Sequence, residues 1–358
     1  MSRGPMFAEP DSTQLLEVPE DTPPPKQKTG KRRRGRKILL IVLLVLALII
    51  GGGLIAGGLY YRSVEGSIER VDAFQDVPEA SRPQKVATDA KNILILGSDT
   101  RDPENTGGSR SDTIILAHLP KGRGSAQLIS IPRDTWVFVP KSKNGQHGGR
   151  EAKINAAFAW GGIPLTVQTV EKYTGVRIDN VAIVDFAGFQ EIVDALGGVE
   201  ITVEKGFTSN HSLLPGGRRE FPAGKQTMDG AMALDYARER YAFADGDFAR
   251  IRHQQQVIKA ILDKAVSGGT LANPARLNSF LRATADAVSV DETFSIFDTA
   301  TEMRHLRSGN LTFLTNPTKG TGRKGSESVV LDDPATAKAL YDAVKRDAVP
   351  EILAVAKK

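Results

Sequence analysis

The chain has 358 residues, of which 40% are hydrophobic and 25% are charged, and its formal net charge is +5. This composition excludes a disordered polymer and suits one large or two ordinary domains, while the mild and locally concentrated positive charge predicts no nucleic-acid partner. The absence of cysteine excludes a disulfide framework, a thiolate nucleophile and a cysteine–zinc cluster.

The N-terminal quarter predicts a membrane-anchored protein. Residues 1–37 are rich in proline and basic residues and show almost no apolar periodicity, which predicts a disordered, basic cytoplasmic tail. The uncharged run Ile38–Tyr61 exceeds the roughly 20 residues that cross a bilayer core and predicts a transmembrane helix. A cleavable signal, the alternative, would carry a shorter apolar core of about 7 to 15 residues. Basic residues cluster just before the run, so we expect a single-pass protein of the cell membrane with a cytoplasmic N-terminus and an extracellular catalytic domain.

Residues 62–88 are mixed in composition and contain two prolines, which predicts an extracellular linker. Three short apolar runs then predict buried strands, beginning at Asn92 and spanning Thr113–Leu119 and Ala126–Ile131. The first run ends in Gly-Ser-Asp at residues 97–99, which is typical of a buried strand that opens into a functional loop.

Alternating strand and helix patterns follow. Helical periodicity covers Ala152–Trp160 and Pro164–Tyr173. The next three segments, Val181–Val184, Phe186–Leu196 and Val199–Val203, predict a strand–helix–strand unit. We therefore predict an α/β fold in which helices flank a central mixed β-sheet.

The C-terminal third predicts mostly helices, after a polar, glycine-rich excursion from Phe207 to Gln226. The predicted elements are helices at about Asp229–Arg238, Phe248–Val266, Pro274–Val288 and Phe294–Arg307, a strand at Leu311–Thr315 and a last helix from Asp333. Asp247 is predicted to cap the second of these helices. The whole folded domain is predicted to span residues 89–358.

The stretch YARERYAFADGDFARIRHQQ, residues 236–255, concentrates positive charge. Arg238 and Arg240 alternate, so in an extended segment they project to one side. Arg250 and Gln254 share one side of the next helix near its N-terminus, where free N–H groups and the helix dipole favour phosphate. Guanidinium forks match phosphate oxygens two at a time. The alternative is a solvated surface of arginines paired with nearby carboxylates, and the charge pattern leaves both interpretations open.

Two carboxylates are predicted to lie at one edge of the sheet. Asp99 follows the first strand and Asp112 precedes the second, with Arg110 beside it, and Arg133 follows the third strand. Ligand sites in open α/β sheets lie at strand ends, and carboxylate oxygens are suitable ligands for Mg²⁺. The alternative is that each aspartate caps a turn.

Several motifs together resemble one family. They are NILILGSDTR, RSDTIILAHL, SIPRDTWV, KINAAFAWGG, TVEKYTGVRID, VDFAGFQEIVDALGGVEI, LDYARER and GDFARIRHQQ, in order from about Asn92 to Gln256. The extracellular domain resembles the LytR-CpsA-Psr family of cell-wall glycopolymer ligases. The resemblance implies transfer of a glycan phosphate from a polyprenyl diphosphate carrier onto peptidoglycan, at the muramic acid 6-hydroxyl, with release of polyprenyl phosphate.

The resemblance also implies roles for residues of this chain. Asp99 and Asp112 match the acidic positions associated with Mg²⁺. The positions that match the pyrophosphate-contacting arginines are Arg110, Arg133, Arg238, Arg240 and Arg250. Gln254 matches a polar contact in the same motif, and Lys153 is a further candidate for a phosphate or headgroup contact. Asp99 and a metal-bound water are the alternatives for the base.

The sequence leaves alternatives open for one apolar stripe and for the function. Phe186, Phe189, Ile192, Val193 and Leu196 recur at helical spacing, which predicts either a groove for the lipid chain or ordinary core. The rival functions are a lipid pyrophosphate hydrolase, in which water is the acceptor, and a non-enzymatic membrane regulator or scaffold.

Overall fold

The structure, a computed structural model, describes residues 63–98, 111–210, 212–214 and 217–356. The predicted tail and the predicted transmembrane helix lie outside these ranges, as do Asp99 and Arg110. Among the residues described, no helix combines the length and the apolar character needed to cross a bilayer.

The described residues form fifteen strands: β1 (Glu69–Val71), β2 (Lys91–Ser98), β3 (Ser111–Leu119), β4 (Ala126–Ser130), β5 (Trp136–Val139), β6 (Arg150–Lys153), β7 (Asn180–Asp185), β8 (Val199–Val203), β9 (Phe207–Ser209), β10 (Arg219–Phe221), β11 (Gly224–Met228), β12 (Val288–Asp291), β13 (Leu311–Thr315), β14 (Thr318–Lys324) and β15 (Glu327–Asp332).

The same residues form nine α-helices: α1 (Ala156–Thr174), α2 (Phe186–Ala195), α3 (Gly230–Arg238), α4 (Asp247–Ala265), α5 (Gly268–Leu271), α6 (Pro274–Ala287), α7 (Ile296–Glu302), α8 (Pro334–Lys345) and α9 (Val349–Ala356). Single 3₁₀ turns occur at Glu79–Ser81 and Ser308–Asn310.

A seven-stranded mixed sheet in the order β1-β12-β7-β2-β3-β4-β13 forms the centre of the domain. The pairs β1–β12, β7–β2 and β4–β13 are parallel, and the other three pairs are antiparallel. Four separate two-stranded ribbons, β5–β6, β8–β11, β9–β10 and β14–β15, lie outside this sheet. The predicted α/β fold, with helices flanking a central mixed sheet, is confirmed.

Both faces of the sheet are buried because side chains alternate along each strand. Leu94 and Leu96 of β2 pack in the core cluster that includes residues of α1 and α8. The neighbouring Ile93 belongs to the opposite cluster, against which Ile258 and Leu262 of α4 pack. Burial on both faces explains why these strands read as continuous apolar runs rather than as an alternation of apolar and polar residues.

The structure corrects the predicted linker at residues 62–88. Residues 69–71 form β1, which pairs in parallel with β12 at the edge of the central sheet. Val71, Ala73 and Val77 are buried in the main core cluster. The folded domain therefore includes much of this segment, since its apolar residues find a place against the sheet that mixed composition alone does not predict.

Two predicted elements behave differently in the fold. β8 matches the predicted strand, yet it leaves the central sheet and pairs antiparallel with β11. Residues 150–153, of which the last two were predicted as helical, form β6 opposite β5. The predicted helices Ala152–Trp160 and Pro164–Tyr173 form one helix, α1. It is interrupted by non-helical backbone at Gly161 and Gly162, and it ends at Gly175, where φ is +65°.

Candidate functional site

A cavity of about 210 Å³ opens where β3 begins and where α3 leads into α4. Six of the predicted site residues line it together: Asp112, Arg133, Arg238, Arg240, Arg250 and Gln254. We call this cavity, defined by these six residues, the arginine pocket. For the part of the chain that the structure describes, distant arginines thus line one cavity at the edge of the sheet.

The sheet register explains how the first residues reach the pocket. Ser98, the last residue of β2, pairs with Ser111, the first residue of β3, so the end of one strand and the start of the next lie side by side. Asp112 is the second residue of β3, and Arg133 comes shortly after the end of the adjacent strand β4. The predicted common edge is thus present, although Asp99 and Arg110 lie outside the described residues.

The turn after α3 aims two arginines into the pocket. α3 ends at Arg238, and Glu239 has the extended backbone angles φ −67° and ψ 131°. Both Arg238 and Arg240 line the pocket. The guanidinium of Arg238 lies 4.8 Å above the ring of Phe186, and that of Arg240 lies 4.6 Å from the ring centre of Tyr241.

The alternative of a solvated, ion-paired arginine surface does not match the structure. Within the described residues, no carboxylate forms an ion pair with Arg238 or Arg240, whereas Asp235 is paired with Arg219 and Asp245 with Arg252. Unpaired guanidinium groups that converge on one cavity repel each other unless an anion lies between them. The guanidinium groups of Arg238 and Arg240 are therefore available to an anionic ligand.

Glu239 fixes the backbone that carries Arg240, and sequence reasoning missed it. Its Oε1 accepts hydrogen bonds from the backbone N–H groups of Tyr241, at 2.6 Å, and Ala242, at 3.0 Å. Burial alone would raise the pKa of Glu239, but a hydrogen bond from Ser209 and the backbone donors of the loop outweigh it and lower the pKa. An ionised carboxylate thus anchors the loop at the pocket wall.

A buried ion pair lies beneath the pocket. Nη2 of Arg250 lies 2.6 Å from Oδ1 of Asp247, and Nε of Arg133 lies 3.9 Å from the same oxygen. Burial lowers the pKa of Arg250 and raises that of Asp247, and each charge opposes the shift of the other. Arg133 also contacts the carboxylate of Asp112. Although burial lowers the pKa of Arg133, its neighbouring carboxylates raise it overall.

The role predicted for Asp247 as a helix cap is wrong. Gly246 is the N-cap of α4, with φ +46° and ψ −102°, and Asp247 is the first helical residue. Its side chain makes no capping hydrogen bond, because it faces the two guanidinium groups instead. A positive φ of this kind suits glycine, which explains why the cap falls one residue earlier.

Several buried polar atoms of the pocket lack partners. In the described part of the chain, Nε of Arg133, Nε of Arg250 and Oε2 of Glu239 are buried without a hydrogen-bond partner. A buried donor without an acceptor costs about 1–3 kcal/mol. Both carboxylate oxygens of Asp247 are also buried without a hydrogen-bond partner, so unpaired donors and acceptors lie side by side beneath the pocket.

The candidate metal ligands are only partly described. Asp112 presents a carboxylate to the pocket, which fits the preference of Mg²⁺ for hard oxygen donors. Its predicted partner, Asp99, lies outside the described residues. Over the described ranges, no three His, Cys, Asp or Glu side chains are grouped as metal ligands.

Lys153 does not line the arginine pocket. It lies in an adjacent cleft, where its Nζ is 3.7 Å from a carboxylate oxygen of Asp134 and 3.6 Å from one of Glu327. Both distances are long for charge-assisted hydrogen bonds, which lie at about 2.7–2.9 Å. Lys153 therefore shares a cleft with Arg133 and Arg240, but not with Arg238 or Arg250.

An apolar groove of about 220 Å³ adjoins the pocket on another side. Phe186, Phe189 and Ile192 line it, together with residues of β2, β3, α3 and α4. Val193 and Leu196 are instead fully buried in a core cluster. The helix thus presents some residues of the stripe to a groove and others to the core, and the lipid chain in that groove stays a prediction.

His253 lies in an aromatic cluster behind the pocket. Its ring is stacked on Tyr236, with 4.2 Å between ring centres, and on Phe207, with 5.7 Å. Its Nδ1–H donates to the carbonyl oxygen of Tyr236. Burial lowers the pKa of His253 to about 4, with Arg252 adding to the effect while the hydrogen bond and the charges of Glu239 and Asp245 oppose it. The histidine is therefore a neutral packing residue at pH 7.

Acid should destabilise the domain through His253. Between about pH 6.5 and pH 4, the unfolded chain binds a proton before the folded domain does, so the free energy of unfolding falls as the pH is lowered. From its pKa of about 4 and an unfolded value near 6.5, the full loss is about 3 kcal/mol. Urea unfolding between pH 7 and pH 4 should show that His253→Phe loses this part of the pH dependence. Substitution of the exposed His305 by Gln should retain it, and equal pH profiles for wild type and His253→Phe would show that the histidine does not contribute.

Comparisons with known proteins agree with this geometry. The family description "LytR_cpsA_psr family" matches residues 61–345. Cell wall biosynthesis protein LcpA of Corynebacterium glutamicum is 31% identical over 287 residues, which cover 69% of this chain and 54% of that protein. The Enterococcus faecalis polyisoprenyl-teichoic acid–peptidoglycan teichoic acid transferase TagU is 32% identical over 241 residues, covering 66% of this chain and 73% of that protein.

A solved structure shares the fold. The crystal structure of Bacillus subtilis TagV aligns with a TM-score of 0.60 and 25% sequence identity, over 72% of this chain and 97% of that chain. The chain spans about half the length of the first relative above, at 54%.

Proposed function

The chain belongs to the LytR-CpsA-Psr family, and on this premise we propose that it is a phosphotransferase of cell-wall assembly. It moves a glycopolymer phosphate from a polyprenyl diphosphate carrier onto peptidoglycan, at the muramic acid 6-hydroxyl, and releases polyprenyl phosphate. One observation carries this proposal. Four guanidinium groups from separate parts of the chain converge on one pocket, and those of Arg238 and Arg240 form no ion pair with a carboxylate among the described residues.

The pocket has to neutralise the negative charge of the diphosphate and align the acceptor hydroxyl with the phosphorus. The acceptor hydroxyl oxygen forms a bond to the phosphorus that carries the glycan, and the bond from this phosphorus to the bridging oxygen breaks. The bridging oxygen leaves with polyprenyl phosphate, and the hydroxyl proton passes to a base, for which Asp99 is the candidate. Arginine donors stabilise the negative charge that grows on the bridging and non-bridging oxygens.

The four arginines have different roles, because two of them are free of ion pairs within the described ranges and two are held by carboxylates. Arg238 is exposed and Arg240 is half-buried, and neither is ion-paired among the described residues, so both are available to the diphosphate. Arg133 and Arg250 are held by Asp112 and Asp247. They form a fixed part of the pocket lining. Gln254 completes the wall as a neutral hydrogen-bonding residue.

Magnesium is part of the proposal. Asp112, with Asp99, would hold the ion at the edge of the sheet. When bound, Mg²⁺ adds positive charge beside the diphosphate and helps to orient its oxygens. Removal of divalent cations with EDTA should then abolish turnover, and re-addition of Mg²⁺ should restore it.

The apolar groove offers the place for the prenyl chain. It shares Thr113, Phe186, Arg238 and Gln254 with the arginine pocket, so a lipid in the groove continues directly into a diphosphate in the pocket. The proposed location fits this substrate, because an N-terminal membrane anchor would hold an extracellular domain close to the headgroups of the lipid carrier.

A single assay separates the proposed transferase from its rivals. The full-length chain in detergent is incubated with glycan-labelled polyprenyl diphosphate donor, Mg²⁺ and purified peptidoglycan, and the label is followed into the wall fraction. A transferase gives label bound to peptidoglycan, and none when peptidoglycan is omitted. Label found only as soluble sugar phosphate would identify a hydrolase. Intact donor under all conditions would support the regulator or scaffold.

A further inference from the structure

A second cleft, of about 610 Å³, opens beside the arginine pocket. It contains both tryptophans of the 358-residue chain, Trp136 on β5 and Trp160 on α1. Arg133 and Arg240 line both cavities, so the two are continuous at these guanidinium groups. We call this second cavity, defined by Trp136, Arg150, Lys153, Trp160 and Glu327, the tryptophan cleft.

The cleft combines aromatic surface with fixed polar groups. Trp136 is half-buried, and its Nε1–H donates to Glu151 at 2.9 Å, which holds the indole in place. Trp160 is half-buried as well and stacks with the ring of His147, at 5.8 Å between centres. Half-exposed aromatic rings bordered by carboxylates and cations suit a sugar, whose C–H faces pack on rings and whose hydroxyls need polar partners.

One cation of the cleft is available to an acidic group. Arg150 is exposed, and its guanidinium lies 5.1 Å from the ring centre of Trp160. Within the described ranges it forms no ion pair with a carboxylate. Lys153, by contrast, is shared between Asp134 and Glu327. The ligand favoured by this arrangement is therefore a saccharide that carries a carboxylate.

The position of the cleft relative to the groove indicates which saccharide it binds. The groove and the cleft share no lining residue, and each shares a wall with the arginine pocket. In phosphoryl transfer the attacking and leaving oxygens lie roughly in line on opposite sides of phosphorus. If the leaving polyprenyl phosphate occupies the groove side, the attacking hydroxyl arrives from the other side of the pocket, where the cleft opens.

We propose that the tryptophan cleft is the binding site for the acceptor, a glycan strand that bears carboxylates. Trp136 packs against a sugar ring, and Arg150 binds a carboxylate of the strand. The acceptor hydroxyl then reaches the phosphorus beside Arg133 and Arg240. This assignment rests on the proposed transferase function, and it names the surface that distinguishes a glycan acceptor from water.

Binding can be measured without turnover. Since both tryptophans of the chain lie in the cleft, intrinsic fluorescence of the full-length chain reports on this site. The probes are a soluble muramic-acid-containing tetrasaccharide with its peptides and, separately, the polyprenyl diphosphate donor. We expect a saturable change with the tetrasaccharide that is weakened about tenfold in Arg150→Ala. The acceptor assignment would be overturned if the tetrasaccharide caused no fluorescence change, or if only the donor caused one.

Transfer kinetics provide the second test. Trp136→Ala and Arg150→Ala should each raise the KM for peptidoglycan about tenfold, with little change in the KM for the donor. Arg346→Ala, an exposed arginine outside the cleft, is the matched control and should leave both constants unchanged. Unchanged acceptor KM in both cleft variants would refute the inference.

The two proposals fail in different ways. If the wild type transfers no label at all, the proposed function fails, and the fluorescence titration alone decides whether the cleft binds the glycan. If Trp136→Ala does not fold, as judged by thermal melting, Trp136→Phe and the exposed Arg150→Ala carry the test.

Discussion

Arg238→Ala and Arg240→Ala should each lower turnover of the lipid-linked diphosphate by about 10²–10³-fold, the effect of removing one preorganised donor from a transition-state site. The domain should remain folded, because neither guanidinium has a carboxylate partner among the described residues that would be left uncompensated. Release of polyprenyl phosphate from labelled donor measures the rate, and thermal melting measures the fold. Arg240→Lys should restore only part of the activity, since lysine lacks the planar fork.

The matched control is Arg252→Ala in the same stretch of sequence. Arg252 is exposed, lies outside the arginine pocket and pairs with Asp245 at 2.6 Å. Its removal should leave the rate unchanged. If Arg238→Ala and Arg240→Ala both retain full activity, these arginines belong to a solvated surface after all, and the pocket does not bind the reacting phosphate.

Asp247→Ala should destabilise the domain by about 3–5 kcal/mol, because it leaves a buried guanidinium without its counter-charge. Asp247 and Arg250 have side chains that are only 11% and 5% exposed, and their charged atoms approach to 2.6 Å. Arg133 lies near the same carboxylate and would add to the uncompensated charge. Urea unfolding, with the slope compared between variants, measures the loss.

Asp245→Ala supplies the comparison for this stability prediction. Its ion pair with Arg252 has the same 2.6 Å separation, but the two side chains are 44% and 53% exposed. An exposed pair contributes at most about 1 kcal/mol, so this variant should lose little stability. Equal and small losses in both variants would mean that the pair beneath the pocket is not desolvated as the structure indicates.

Local sequence patterns predicted those helices and strands in which the spacing of apolar residues alone indicates which residues are buried. The apolar runs of β2, β3 and β4 and the glycine stop at residue 175 are examples, and β13 matches the predicted strand at Leu311–Thr315. The ribbons β5–β6 and β14–β15 were missed. At least half of the residues of β6 and of β14 are polar and exposed, and the pairing of these strands depends on partners that a local pattern does not contain.

The residues of the candidate site also divide into those that the sequence predicted and those that only the fold reveals. Arginines and Asp112 could be placed because strand ends and a helix N-terminus are recognisable in sequence, and the family motifs supply their roles. Glu239 was missed although it stands between Arg238 and Arg240, since only the fold shows that its carboxylate accepts backbone N–H groups of the loop. Asp235 was missed for a similar reason. It is fully buried and binds Ser212 and Arg219, which ties the polar excursion to α3.

Trp136 and Trp160 fall within two of the family motifs, SIPRDTWV and KINAAFAWGG, but the sequence does not indicate that they line one cleft. Trp136 and Trp160 are separated by 23 residues that the structure brings together through β5, β6 and the start of α1. Neither tryptophan has a periodic partner, and each alone reads as an ordinary core or surface residue. A site that depends on the packing of a ribbon against a helix becomes visible only in three dimensions.

A crystal structure of the domain with a non-transferable polyprenyl diphosphate analogue tests the central claim most directly. We expect oxygens of both phosphates to accept hydrogen bonds from the pocket arginines Arg133, Arg238, Arg240 and Arg250, with the prenyl chain running past Phe186 and Phe189. Diphosphate density at any other surface, with these guanidinium groups unoccupied, would contradict it.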